Sequence, residues 1–157
     1  MENIDTYREK ARAIVFNKEN KIYVCNLKGN LILPGGSIEE NELKEIAMKR
    51  ELKEELGLIS YDLKELITIE HFHENFPIYK SEVYENRLNK ITYFLVEGNH
   101  EVDLSKVSYT DYEIDHNIKI EAYSIKELRY KLQISTGNKW KKFTNKELIT
   151  VLDYIEK

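Results

Sequence analysis

The chain reads as an α/β protein in which helices cover a mixed β-sheet. Three observations predict this. Short β-prone runs stand both before and after a central helical segment. The last fifteen residues repeat apolar side chains at helical spacing, and no Pro- or Ser-rich linker divides the chain. At 157 residues, a single domain spanning 1–157 is expected, long enough to bury a core without covalent staples.

The elements follow in order. ARAIVF (11–16) and KIYVCNL (21–27) are β-prone runs joined by the turn-forming NKEN, which predicts a hairpin. LIL (31–33) is a third strand, stopped by Pro34-Gly35-Gly36. A helix is predicted from Asn41 to Leu56, with Asn41 as N-cap and Glu42 in the first turn, where the helix dipole favours acids. Gly57 suits the left-handed exit from that helix. Met48, Leu52 and Leu56 form its apolar stripe, flanked by Leu43 and Ile46. Residues 61–76 read as strand up to Pro77, 89–98 as the best strand of the chain, and 119–125 as another that leads into the short helix KELRYKL. The closing helix is predicted over 143–157, with Thr144 as N-cap and Leu148, Val151, Leu152 and Ile155 on one side. Trp140, Phe143 and Tyr154 are expected to pack rather than to stack on a base.

Composition excludes several classes. The net charge of −4 argues against a protein that grips nucleic-acid backbones, so stable nucleic-acid binding is not expected. No apolar run reaches membrane-span length. The N-terminal residues carry no signal-peptide pattern, and the single cysteine, Cys25, permits no internal disulfide; a cytoplasmic protein is expected. Cys25 itself reads as a small buried hydrophobe in a strand.

The chemistry lies in GGSIEENELKEIAMKRELKEELGL (35–58), which holds seven glutamates. Three- and four-residue steps return to one face of a helix, so Glu51, Glu54 and Glu55 share an arc of about 100°, with the small Ala47 among them leaving room for a ligand. Like charges so placed repel and raise each other's pKa. A hard divalent cation removes that penalty. Three carboxylates suit Mg²⁺ or Mn²⁺ better than Zn²⁺, which favours His and Cys. The Gly35-Gly36 turn brings backbone near the same face. His71 and His73 share a strand face without an evident third ligand, so they read as ordinary strand histidines beside a pocket.

From Gly36, five residues lead to Glu42 and seven more to Arg50-Glu51-Leu52-Lys53-Glu54-Glu55-Leu56-Gly57-Leu58. This resembles the Nudix box, Gx5Ex7REUxEExGU with U aliphatic, at every fixed position. LPGG before the helix and KIEAYSIKEL after it are also similar to the family. The resemblance implies an α/β/α sandwich and a metal-dependent hydrolase, cleaving a phosphoanhydride in a nucleoside diphosphate linked to another group. A nucleoside triphosphate or an ADP-ribose-like molecule is the implied substrate. Carried over by position, Gly36, Glu51, Glu54 and Glu55 would hold Mg²⁺ or Mn²⁺. Glu51 and Glu54 would serve catalysis, with Glu51 as ligand, base or both. Arg50 would orient the glutamates, and Glu42 would brace the loop. Asn41 stands where many relatives have Gly, and Asn tolerates the left-handed backbone. Arg12 and Lys28 are candidates for phosphate contact. A general base outside the box would be Glu113, Asp115 or Glu121, with His116 as a further option. Many relatives are dimers, so a homodimer is compatible with the resemblance, although no seam in the sequence shows one.

Two other functions compete. A Nudix-fold binding or regulatory module without hydrolysis would keep the pocket, but such modules lose box glutamates, and here all are present. A helical interaction protein with an acidic face is disfavoured by the β-rich remainder and by LPGG.

Overall fold

The structure is a computed structural model that describes residues 3–133 and 139–157; the side chains of Lys139 and Trp140 lie outside what is described. In order, the elements are β1 (Thr6–Phe16), β2 (Ile22–Leu27), β3 (Asn30–Ile32), β4 (Gly35–Ser37) and α1 (Lys44–Leu56). Then come β5 (Leu63–Pro77), β6 (Tyr84–Asn99), a single 3₁₀ turn (Leu104–Lys106), α2 (Asp111–Asp115), β7 (Lys119–Tyr123), α3 (Ile125–Gln133) and α4 (Lys139–Ile155). The strands form one mixed sheet ordered β3-β2-β1-β6-β5, with β4 also on β1 and β7 on β2. Only the β1–β6 pairing is parallel among the described strands.

The sheet curls because β1 divides one of its edges. Its end pairs with β2 at Phe16↔Ile22, and its middle pairs with β4 at Ala11↔Gly36 and Arg12↔Gly35. Side chains alternate across a strand. Ala11, Ala13 and Val15 therefore meet Met48, Leu52 and Leu56 of α1, while Ile14 meets Leu128, Leu148, Val151 and Leu152 of α3 and α4. This is the expected α/β/α sandwich. Arg12 and Lys10 share the face of Ile14, and so carry charge toward the α4 layer.

Several boundaries differ from the sequence reading. α1 begins at Lys44, and its N-cap is Leu43, which makes no side-chain cap bond. Asn41 lies before the helix at φ 62°, because the turn into α1 demands a left-handed residue there. Leu43 and Ile46 do not flank a buried stripe: they are 70% and 53% exposed, since the core meets only the Met48–Leu52–Leu56 side. Ala47 is fully buried rather than open to a ligand. α4 starts before residue 143, so Thr144 lies inside the helix. Its hydroxyl donates to the Lys141 carbonyl at 3.0 Å, a backbone bond that a threonine within a helix readily makes. The strand expected to stop before Pro77 includes it at its end, where a missing N–H breaks no further pairing. Gly57 leaves α1 at φ 70°, as expected. Among the described residues, no helix is long and apolar enough to cross a membrane.

Candidate active site

The box places its polar residues where α1, β4 and the loop carrying α2 meet. One guanidinium organises them. Arg50 donates through Nε and Nη2 to both oxygens of Glu42 at 2.9 and 3.1 Å, and Nη1 reaches Glu51 at 3.0 Å and Glu54 at 3.4 Å. Nη2 also meets the Ser37 carbonyl at 3.0 Å, tying α1 to β4. The planar fork of arginine allows this set, which a lysine cannot match. Its bonds from Arg50 hold Glu42 below the usual carboxylate range. The Glu42 carboxylate in turn accepts from the Glu39 N–H at 2.9 Å and braces the loop before α1.

Glu55 is 2% exposed. It accepts from the Gly35 N–H at 2.7 Å and from the Cys25 thiol at 3.4 Å. Cys25 is thus more than a filler: burial and the Glu55 carboxyl push its thiol well above the usual range, so it stays protonated and donates. Burial raises Glu55 well above the ordinary carboxylate range, and the neighbouring Glu113 carboxyl, in hydrogen-bonding contact, adds to this. Burial also raises Glu51, with Arg50 opposing and Glu54 reinforcing. Gly36 has no Cβ because Glu51 fills that space: a Cβ there would lie 2.5 Å from its Oε1.

Among the described residues, no three His, Cys, Asp or Glu side chains converge as a preformed metal cage. The donor chemistry nevertheless fits a hard divalent cation. Glu51 and Glu55 are desolvated acids that meet further acids; Arg50 opposes this at Glu51, and the Gly35 N–H does so at Glu55. More positive charge would stabilise them.

The candidates outside the box separate clearly. Glu113 alone is brought to Glu55. Asp115 accepts from Tyr79, Glu121 accepts from Asn26 and Tyr123, and His116 bonds to the Tyr112 carbonyl through Nδ1. Arg12 donates to the Leu33 carbonyl at 2.8 Å. Lys28 stands exposed in the β2–β3 turn at φ 52°.

Arg12 also lines a cavity of about 40 Å³ between the sheet and α4, with Lys10, Asn89, Tyr93, Phe143 and Glu147. The Tyr93 hydroxyl donates to Glu147 Oε1, whereas Glu147 Oε2 and Asn89 Oδ1 are buried acceptors with no partner in the structure. His71 and His73 pack their rings on Phe143 at 3.5 and 4.5 Å, which is the ordinary role expected of them. Sequence reasoning missed Lys10, Asn89 and Glu147. Two signals were present: the alternation Arg8-x-Lys10-x-Arg12 on β1, and an acid one turn before Val151 in the apolar stripe of α4.

Burial lifts Glu147 from the ordinary 4.5 to about 7, against the pull of Arg12 and Lys10. The native state therefore holds this proton at pH values where the unfolded chain has lost it. Its contribution to stability falls as pH rises from about 4.5 through 7. Glu147→Gln keeps an acceptor for Tyr93 and removes the charge. At pH 8 it is expected to raise stability by about 2 kcal/mol, or about 4–8 °C in thermal midpoint, and to change little at pH 4. Equal shifts at both pH values would contradict this account.

A family model described as the NUDIX domain matches residues 6–140, and the chain belongs to the Nudix family. Solved structures are similar across most of the chain. The MutT protein from Methanosarcina mazei Go1 is 15% identical, with 99% of each chain covered and a TM-score of 0.55. The E. coli ORF135 protein is 20% identical, covering 82% of this chain and 79% of that one, at 0.52. The MutT NUDIX hydrolase from Burkholderia pseudomallei is 16% identical, covering 89% and 96%, at 0.50. At such identities the likeness shows the fold. No curated protein sequence matches the chain.

Proposed function

We propose that this chain, acting as one Nudix domain, is a Mg²⁺- or Mn²⁺-dependent pyrophosphohydrolase. It cleaves a phosphoanhydride in a nucleoside diphosphate linked to another group, such as a nucleoside triphosphate or an ADP-ribose-like molecule. The observation that carries this reading is the pair of desolvated acids Glu51 and Glu55 at the Gly35-Gly36 backbone, with Glu113 against Glu55 and Arg50 holding Glu51 and Glu54 from one side.

Glu51, Glu54, Glu55 and the Gly36 carbonyl would hold the cation, which when bound supplies charge neutralisation and acidifies water. Arg50 keeps Glu51 and Glu54 pointed at the site through charge-assisted bonds. The Gly35 N–H fixes the rotamer of Glu55. Glu113, opposite Glu55, takes the proton of the attacking water on its carboxylate. Arg12 stands between this set and the cavity beside α4: its charge bears on both Tyr112 of α2 and Glu147. It therefore suits a phosphate contact, with the nucleoside end directed toward Asn89 and Glu147.

The test is a nucleotide panel with purified protein, with Mg²⁺ or Mn²⁺ and after chelation. At least one nucleoside triphosphate or ADP-ribose should be hydrolysed, the activity should vanish on chelation, and it should return with metal. Binding without turnover across the panel would replace this reading with a regulatory module.

A further inference from the structure

We propose that the tip of the β5–β6 hairpin is a latch that positions α2, and through it the Glu113 carboxylate against α1. Tyr79 and Lys80 act as positioning residues. This rests on the proposed role of Glu113.

α2 has five residues, none of them buried. A helix so short does not persist on its own. Its start and its acid are one device: Glu113 Oε1 accepts from the Thr110 N–H at 2.9 Å and the Thr110 hydroxyl at 3.1 Å, and the Glu113 N–H donates to Thr110 Oγ1 at 3.2 Å. Whatever holds α2 therefore holds Glu113. It lies against the Glu55 carboxyl of α1, so the placement of α2 sets how these two acids meet.

Backbone ties the start of its loop to α1 and closes the exit turn of α2 on itself. The Ser108 N–H donates to the Glu54 carbonyl at 2.7 Å, and the Ile118 N–H to the Glu113 carbonyl at 3.0 Å. The hairpin tip holds the middle. The Tyr79 hydroxyl donates to Asp115, and Lys80 Nζ lies 3.5 Å from the same carboxylate. The Tyr79 ring meets Tyr112 edge-on at 4.8 Å, and Tyr112 stacks on His116 at 4.0 Å. The tip is itself tightly closed: Ile78 and Val83 pair through a 3.1 Å backbone bond, and Lys80 adopts φ 58° between them. Tyr79 is 41% exposed and belongs to neither core cluster, so its contacts serve α2 rather than the stability of the fold.

The test compares wild type, Tyr79→Phe and Tyr79→Ala, each with and without Glu113→Gln. Amide exchange over residues 111–116, measured without metal, should accelerate about tenfold in Tyr79→Ala, while the thermal midpoint moves by no more than about 2 °C. On the nucleotide the panel shows to be turned over, kcat should fall about tenfold with KM nearly unchanged, and Tyr79→Phe should fall between. In the Glu113→Gln background, Tyr79→Ala should cause no further loss. The latch is overturned by unchanged exchange, by unchanged kcat, or by the same fractional loss in both backgrounds. A wild type that hydrolyses nothing on the panel would sink the proposed function instead, and exchange alone would then judge whether the tip holds α2.

Discussion

Glu55→Gln is expected to reduce turnover about a thousandfold or more while the chain still folds. Glutamine has the same shape and keeps an oxygen for the Gly35 N–H, which lies 2.7 Å from the native carboxylate. Its amide needs no proton to sit at a fully buried position, where burial already disfavours the charged acid. What it lacks is the negative oxygen on which the proposed metal site depends. Glu54→Gln should also lose most activity, because Glu54 shares the Arg50 fork with Glu51. Steady-state kinetics and circular dichroism check both variants, and Mn²⁺ titration followed by electron paramagnetic resonance should show weakened binding. Full activity in both would remove the acid set from the chemistry.

The two neighbouring glycines are expected to fail in opposite ways. Gly35 has φ 147°, and a Cβ there would stand 2.0 Å from the Ala11 carbonyl oxygen and 2.7 Å from the Arg12 Cα. Those are backbone atoms of the central strand, to which Gly35 is paired at Arg12. Neither can move without breaking the β1–β4 ladder. Gly35→Ala should lose about 4 kcal/mol or more, seen as a fall of about 8–16 °C in thermal midpoint or as insoluble protein. At Gly36 the new atom meets only the carboxylate end of Glu51, at 2.5–3.0 Å. That end swings away without disturbing backbone. Gly36→Ala should therefore fold nearly as well as wild type and lose about a hundredfold in turnover through a misplaced Glu51. Similar stability losses in the two variants would refute the distinction.

Much of this was legible in the residues. The apolar stripe of Met48, Leu52 and Leu56 fixed the buried side of α1, and all three are fully buried. The spacing from Gly36 to Leu58 carried the family. Leu43 and Ile46 misled because helical spacing ranks positions around an axis without saying how wide the core is; the sheet reaches only one side of α1. Thr144 misled because a hydroxyl can satisfy a carbonyl one turn back inside a helix as readily as it caps one. Among Glu113, Asp115 and Glu121 nothing local chooses. The choice depends on how the loop after β6 folds back onto α1, a long-range fact. The β4 pairing was hidden for the same reason: Gly-Gly-Ser has no β pattern, and its place in the sheet comes from the absence of side chains next to β1. Glu147 showed in the sequence only as an acid in an apolar helix stripe, and its partner Tyr93 comes from the facing strand, which the stripe does not name.

The parallel register of β1 with β6, Ala11↔Thr92 and Ala13↔Phe94, bears on how the protein is made. A ribosome releases the central strand long before its partner. Until residues near 95 have left the exit tunnel, the run ARAIVF has no lateral neighbour except the short β2 and β4 pairings. Assembly of the sheet must therefore wait for more than half of translation, and the nascent chain carries an unprotected sticky segment throughout that interval.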